Sequence, residues 1–173
     1  MYPKEYVQYL VHFHGDRDYF ECHEILEEYW KETDPGNKES VWVGLILLAV
    51  SAYHHRRGNF SGAKRTLEKA EKIFKHQAES LTRIGLHVNQ LFMLVSGRLQ
   101  EISANSPYRS HNLPISDPLL LKQCSERCVE QGFTWGQESD LSENGIVHRH
   151  KLRDRSDVIE ERIKALAAKK DSV

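Results

Sequence analysis

Residues 41–53 are apolar for 13 positions, interrupted only by Gly44 and Ser51. A membrane span needs roughly 18 or more such residues, so this run is a buried helix. Its apolar side chains fall on every side at 100° per residue, which assigns it to the centre of a helical bundle. The flanking segments read as cover for that centre.

Tyr6, Tyr9, Leu10 and Phe13 recur at helical spacing until Gly15. Asp18 is placed to cap a second helix, with Glu21 three residues on as its capping-box partner. In that helix Tyr19, Cys22, Ile25, Leu26, Tyr29 and Trp30 share one face. Asp34-Pro35-Gly36-Asn37 then breaks the chain with turn chemistry. Ser40 caps the central helix. Its end, His54-His55-Arg56-Arg57, suits the negative pole of a helix, and Gly58 fills the C′ position. A fourth helix over residues 61–81 turns Ala63, Leu67, Ala70, Phe74, Ala78 and Leu81 inward. After Gly85, the residues Val88, Leu91, Val95, Leu99 and Ile102 mark a fifth. The fold class is all-α, an antiparallel bundle of about five helices over residues 1–104.

A C-terminal extension, residues 105–173, follows, partly irregular and ending in a helix. Pro107, Pro114 and Pro118 argue for an extended wrap there rather than a long helix. Residues 119–131 fit a short helix, 132–145 a loop, and Gly145-Ile146-Val147-His148 a short strand. The last helix begins near Asp157, with Glu160 as cap partner and Val158, Ile159, Ile163 and Leu166 on its apolar face. Leu113, Ile115, Leu119 and Leu120 need cover, either from an irregular wrap or from a second subunit.

Composition narrows the function classes. With 24 Lys+Arg against 25 Asp+Glu the net charge is -1, which argues against a chain built wholly around nucleic acid and leaves room for a local basic patch. Three cysteines form no disulfide framework, and the odd count fits a reducing compartment. The start, Met1-Tyr2-Pro3-Lys4-Glu5, lacks the pattern of a secretory signal, so a cytoplasmic protein without membrane contact is expected.

Four features bear on chemistry. First, a hairpin of helices two and three sets the end of one beside the start of the other, so that Asp18, Glu21, His23, His54 and Arg57 converge. Carboxylates and imidazoles from facing helices are what a divalent transition metal or a general acid/base pair needs. Glu21, His23 and His54 are the catalytic or metal-ligating candidates. The same residues also read as structure: a cap, an i,i+4 His23–Glu27 pair and bases at a helix end. No metal or cofactor is expected. Second, Arg57-Gly58-Asn59-Phe60-Ser61-Gly62-Ala63 reads as a tight helix–helix corner, or as an anion cradle at the start of helix four. Third, Cys124 and Cys128 with His148 and His150 offer four zinc-type ligands, although one Cys-x₃-Cys pair equally describes two cysteines on a short helix. Fourth, Arg149, Lys151, Arg153 and Arg155 offer charge to RNA phosphates or to an acidic partner, and pair as readily with the acidic stretch before them.

The motif Tyr-Phe-Glu-x-His-Glu-x-Leu-Glu-x-x-Trp at 19–30, with Gly-Leu-Ile at 44–46 and His-x-Arg-Arg-Gly-Asn at 54–59, resembles the bacterial and archaeal domain of unknown function 309 family. The resemblance spans about residues 5–104. It implies a small intracellular all-α domain, similar in fold to the helical domain that follows the catalytic barrel of some hyaluronidases. It implies no activity. By motif position Glu21, His23, Glu24, Glu27, His54, Arg57, Gly58 and Asn59 carry over as family-defining residues, with Glu24, Glu27, Arg57 and Asn59 as binding candidates. Cys22 stands where members often have Ala or another small residue. The first functional expectation is a binding or scaffold module that meets a protein partner or a second copy of itself. The alternatives are a metal-dependent or acid/base hydrolase and an RNA-associated protein.

Overall fold

A computed structural model of the chain describes residues 1–147. Among them are eight helices and no strand: α1 (Lys4–His14), α2 (Tyr19–Thr33), α3 (Val41–Arg56), α4 (Phe60–His76), α5 (Ala78–Arg83), α6 (Val88–Ser103), α7 (Pro118–Glu130) and α8 (Asn144–Val147). The protein is all-α, as the periodicity predicts. Helix α3 packs on α2 and α4, α1 packs on α2, and α6 packs on α4. Leu45, Ile46, Leu48, Ala49, Ala52 and Tyr53 of α3 are all buried, on more than one of its faces. Burying a Leu or Phe fully is worth about 1.5–3 kcal/mol, so this helix supplies much of the drive to fold. Its small residues matter as much. A Cβ at Gly44 would stand 2.6 Å from Phe74 Cε1, so the ring of α4 rests against bare backbone there.

The cap residues read from the sequence hold the helix starts. Asp18 accepts from the Glu21 N–H at 3.1 Å and Ser40 from Trp42 at 3.2 Å; Asn59, in the corner before helix four, caps α4 as well, accepting from Gly62 at 3.0 Å. Helix α3 closes on a Schellman turn. Gly58, at φ 79°, donates its N–H to His55 O at 3.0 Å, and Asn59 donates to His54 O at 2.9 Å.

Two local expectations are corrected. The fourth helix is broken at Gln77, which leaves helical geometry at φ -118° and ψ 28°. Its side-chain amide donates to Glu39 O at 2.8 Å, tying the break to the loop before α3. The strand expected from Gly145 is a single helical turn, in which the N–H groups of Ile146 and Val147 both donate to Glu143 O. Its last member, His148, and the helix expected from Asp157 lie outside the described residues.

The described part of the extension, residues 105–147, wraps the bundle. Leu113 and Leu120 are 5% and 0% exposed and share one hydrophobic core with α1–α6, along with Cys124 and Cys128, whereas Leu119 is 76% exposed. That core runs without a break across residue 104. An isolated β-bridge joins Leu86 to Ile115, and α7 packs on α1. No described helix is long and apolar enough to cross a membrane.

Candidate functional site

The hairpin of α2 and α3 brings the start of one helix beside the end of the other. Tyr19, Phe20 and His23 face Val50, Tyr53 and His54 across a cleft of about 180 Å³. Its walls are aromatic. The Phe20 and Tyr53 ring centres stand 6.0 Å apart, with His23 5.7 Å from Phe20 and His54 6.1 Å from Tyr53. The cap at Asp18 and the Schellman turn at Gly58 fix these two helix ends, so the walls are built on rigid elements.

Charge divides around this cleft. On the α2 side His23 Nε2 lies 2.7 Å from Glu27 Oε2, and Lys31 Nζ lies 3.0 Å from Glu27 Oε1. The bond from His23, with Lys31 after it, holds the Glu27 carboxyl down at about 2. On the α3 side Asn59 Nδ2 is 3.3 Å from His54 Nδ1. An amide nitrogen donates, so His54 Nδ1 accepts and the neutral ring carries its proton on Nε2. Burial, then Arg57 and Arg65, pull His54 below the ordinary imidazole value, so it is neutral at pH 7. The Arg57 guanidinium lies 5.2 Å from the Tyr53 ring centre, and its buried Nε has no hydrogen-bond partner among the described residues.

Of the residues singled out in the sequence, His23 and His54 line the cleft, with Glu27 on His23, Asn59 on His54 and Arg57 on Tyr53. Glu21 and Glu24 are not in its lining. Among the described residues no three of His, Cys, Asp or Glu come close enough to share a metal ion. Cys124 and Cys128 face the core from α7, and burial pushes the Cys124 thiol up to about 12. His148 and His150, their proposed co-ligands, lie outside the described residues, as do Arg149, Lys151, Arg153 and Arg155.

A second polar network, buried next to the cleft, escaped the sequence reading. Arg56 donates from Nη1 to Arg17 O at 2.6 Å and from Nη2 to Ile146 O at 3.3 Å, and stacks 4.6 Å over Tyr19. Arg17 reaches Gln137 O, Phe13 O, His111 O and Asn112 Oδ1. Arg98 Nη2 donates to His55 Nδ1 at 3.3 Å, while His55 Nε2 donates to Ser106 O at 2.9 Å. The Tyr19 and Tyr108 hydroxyls are hydrogen-bonded to each other. Six of the nine acceptors described for the three guanidiniums lie in the wrap, and four of those are main-chain carbonyls. The signal was present. Leu45, Leu48, Ala49 and Ala52 project at i+3 and i+4 onto His55 and Arg56, so two of the four terminal bases had to point inward.

Residues 6–66 match the family described as "Domain of unknown function (DUF309)". The chain is 46% identical over 172 residues to an uncharacterised protein, YpuF, of Bacillus subtilis (strain 168), covering 99% of each chain. No solved structure matches the chain.

Proposed function

Since the chain belongs to the domain of unknown function 309 family, a membership that carries no activity with it, we propose that it is a binding module. In this reading its α2/α3 cleft takes one apolar side chain of a protein partner. The observation that carries the reading is the cleft itself: three aromatic rings and Val50 around about 180 Å³, with imidazoles at His23 and His54. A pocket of that size suits a single Leu or Phe side chain, and buried aromatic contacts of this kind dominate protein interfaces. A hydrolase using Glu21, His23 and His54 needs Glu21 in the cleft, and the lining holds the two imidazoles without it. His23 is also occupied by Glu27, which suits a wall residue better than a free base.

The test is a two-dimensional NMR titration of the full chain with N-acetyl-phenylalaninamide. The expected result is saturable shifts at Tyr19, Phe20, Val50, Tyr53 and His54, abolished in Val50→Trp, whose indole fills the space. Shifts centred elsewhere, or unaltered binding by Val50→Trp, would refute the reading.

A further inference from the structure

The charge around the same cleft is one-sided, and it specifies the partner further. The acid side is closed: Glu27, the carboxylate beside the His23 wall, is held by His23 at 2.7 Å and Lys31 at 3.0 Å. The basic side is held by a ring contact instead. Arg57 stacks on Tyr53 through its π face, and its buried Nε has no hydrogen-bond partner among the described residues. Arg65 acts on His54 from the same side. His54 adds a donor, because Asn59 occupies its Nδ1 and leaves the proton on Nε2. An aromatic wall flanked by a guanidinium and an imidazole N–H is complementary to an anion beside an apolar group.

Resting on the binding reading, we infer that the occupant is an acidic protein segment. Its apolar anchor side chain enters the cleft, and a neighbouring carboxylate lies against Arg57. A planar guanidinium held on an aromatic face is pre-oriented for a carboxylate, so little side-chain freedom is lost when the pair forms. The same charge argues against a basic or phosphate-seeking partner surface here, since such a surface would meet Arg57 and Arg65 with like charge.

The experiment compares two peptides on the full chain by fluorescence anisotropy, acetyl-Ala-Phe-Asp-Ala-amide and its Asn counterpart, each carrying the same dye. The Asp peptide should bind about three- to fivefold tighter, the scale of a partly exposed charged contact. That advantage should vanish in Arg57→Gln and persist in Arg57→Lys, which keeps the charge; thermal unfolding confirms that both variants fold. Equal binding of the two peptides to the unmodified chain overturns the acidic-partner inference while leaving the cleft as a binding site. Binding of neither peptide, together with no cleft shifts from the neutral amide probe, overturns both. Cleft resonances that move with protein concentration alone would place a second copy there and also overturn the inference.

Discussion

Arg17 sits at φ 57°, a left-handed conformation that non-glycine residues adopt at a cost of about 1 kcal/mol or more. It is tolerated because the side chain is 1% exposed and makes four hydrogen bonds, two of them to carbonyls of the wrap at His111 and Gln137. Replacing Arg17 by Met would keep the apolar stem and drop the charge, but would strip those carbonyls of their donor. Each buried group left unpaired costs about 1–3 kcal/mol, so Arg17→Met should lose more than about 2 kcal/mol in urea unfolding. Arg17→Lys should recover only part of that, since an ammonium cannot span a guanidinium's divergent partners. A Met variant as stable as the parent would show that the wrap is held by its apolar residues alone. No periodicity announces such a residue. Arg17 stands between two helices next to Asp16 and Asp18, and its acceptors lie as many as 120 positions away in the chain.

Helix ends were the legible part of the elements, because capping is local chemistry. Asp18, Ser40 and Gly58 are each read from four or five consecutive residues, and each sits where that reading places it. The break at Gln77 was illegible for the opposite reason: the residue is an ordinary helix former, and the contact that ends α4 is a carbonyl 38 positions earlier. Two glycines test the local rule with opposite signs. Gly58 stands at φ 79° with nothing within 4 Å of its missing Cβ, so Gly58→Ala adds backbone strain and no clash. It should cost about 1 kcal/mol, a fall of about 2–4 °C in Tm for a chain of this size. Gly97 also has open space, but it lies inside α6, so Gly97→Ala should gain about 0.5–1 kcal/mol in the same melt. Movement of both variants in one direction would contradict the conformational account of these turns.

At the scale of the whole molecule, one buried imidazole joins the bundle to its wrap and makes their union sensitive to acid. His14 is fully buried at the end of α1. Its Nδ1 donates to Leu10 O at 2.7 Å, and its Nε2 accepts from Leu113 N–H at 2.9 Å. Trp135 stacks on the ring at 4.2 Å, and Gly136 N–H donates to His14 O. Both ring nitrogens are therefore committed to the neutral form, since a second proton would oppose the Leu113 N–H. Burial first, and Arg17 after it, lower the pKa to about 3. The unfolded chain holds this proton below about 6.5 and the folded chain does not, so the contribution is complete above that pH and falls as pH drops from about 6.5 toward 3. His54 and His55, also lowered chiefly by burial, act with the same sign. His12 opposes them: burial pulls it down, but Asp16 at 3.0 Å wins and holds it above its ordinary value. The comparison that isolates His14 is urea unfolding at pH 7.5 and pH 5.0 of the parent and of His14→Gln. The stability lost between the two pH values should shrink in the variant by up to about 2 kcal/mol, at about 1.4 kcal/mol per pH unit. An unchanged pH dependence in His14→Gln would assign the acid sensitivity to the carboxylates instead.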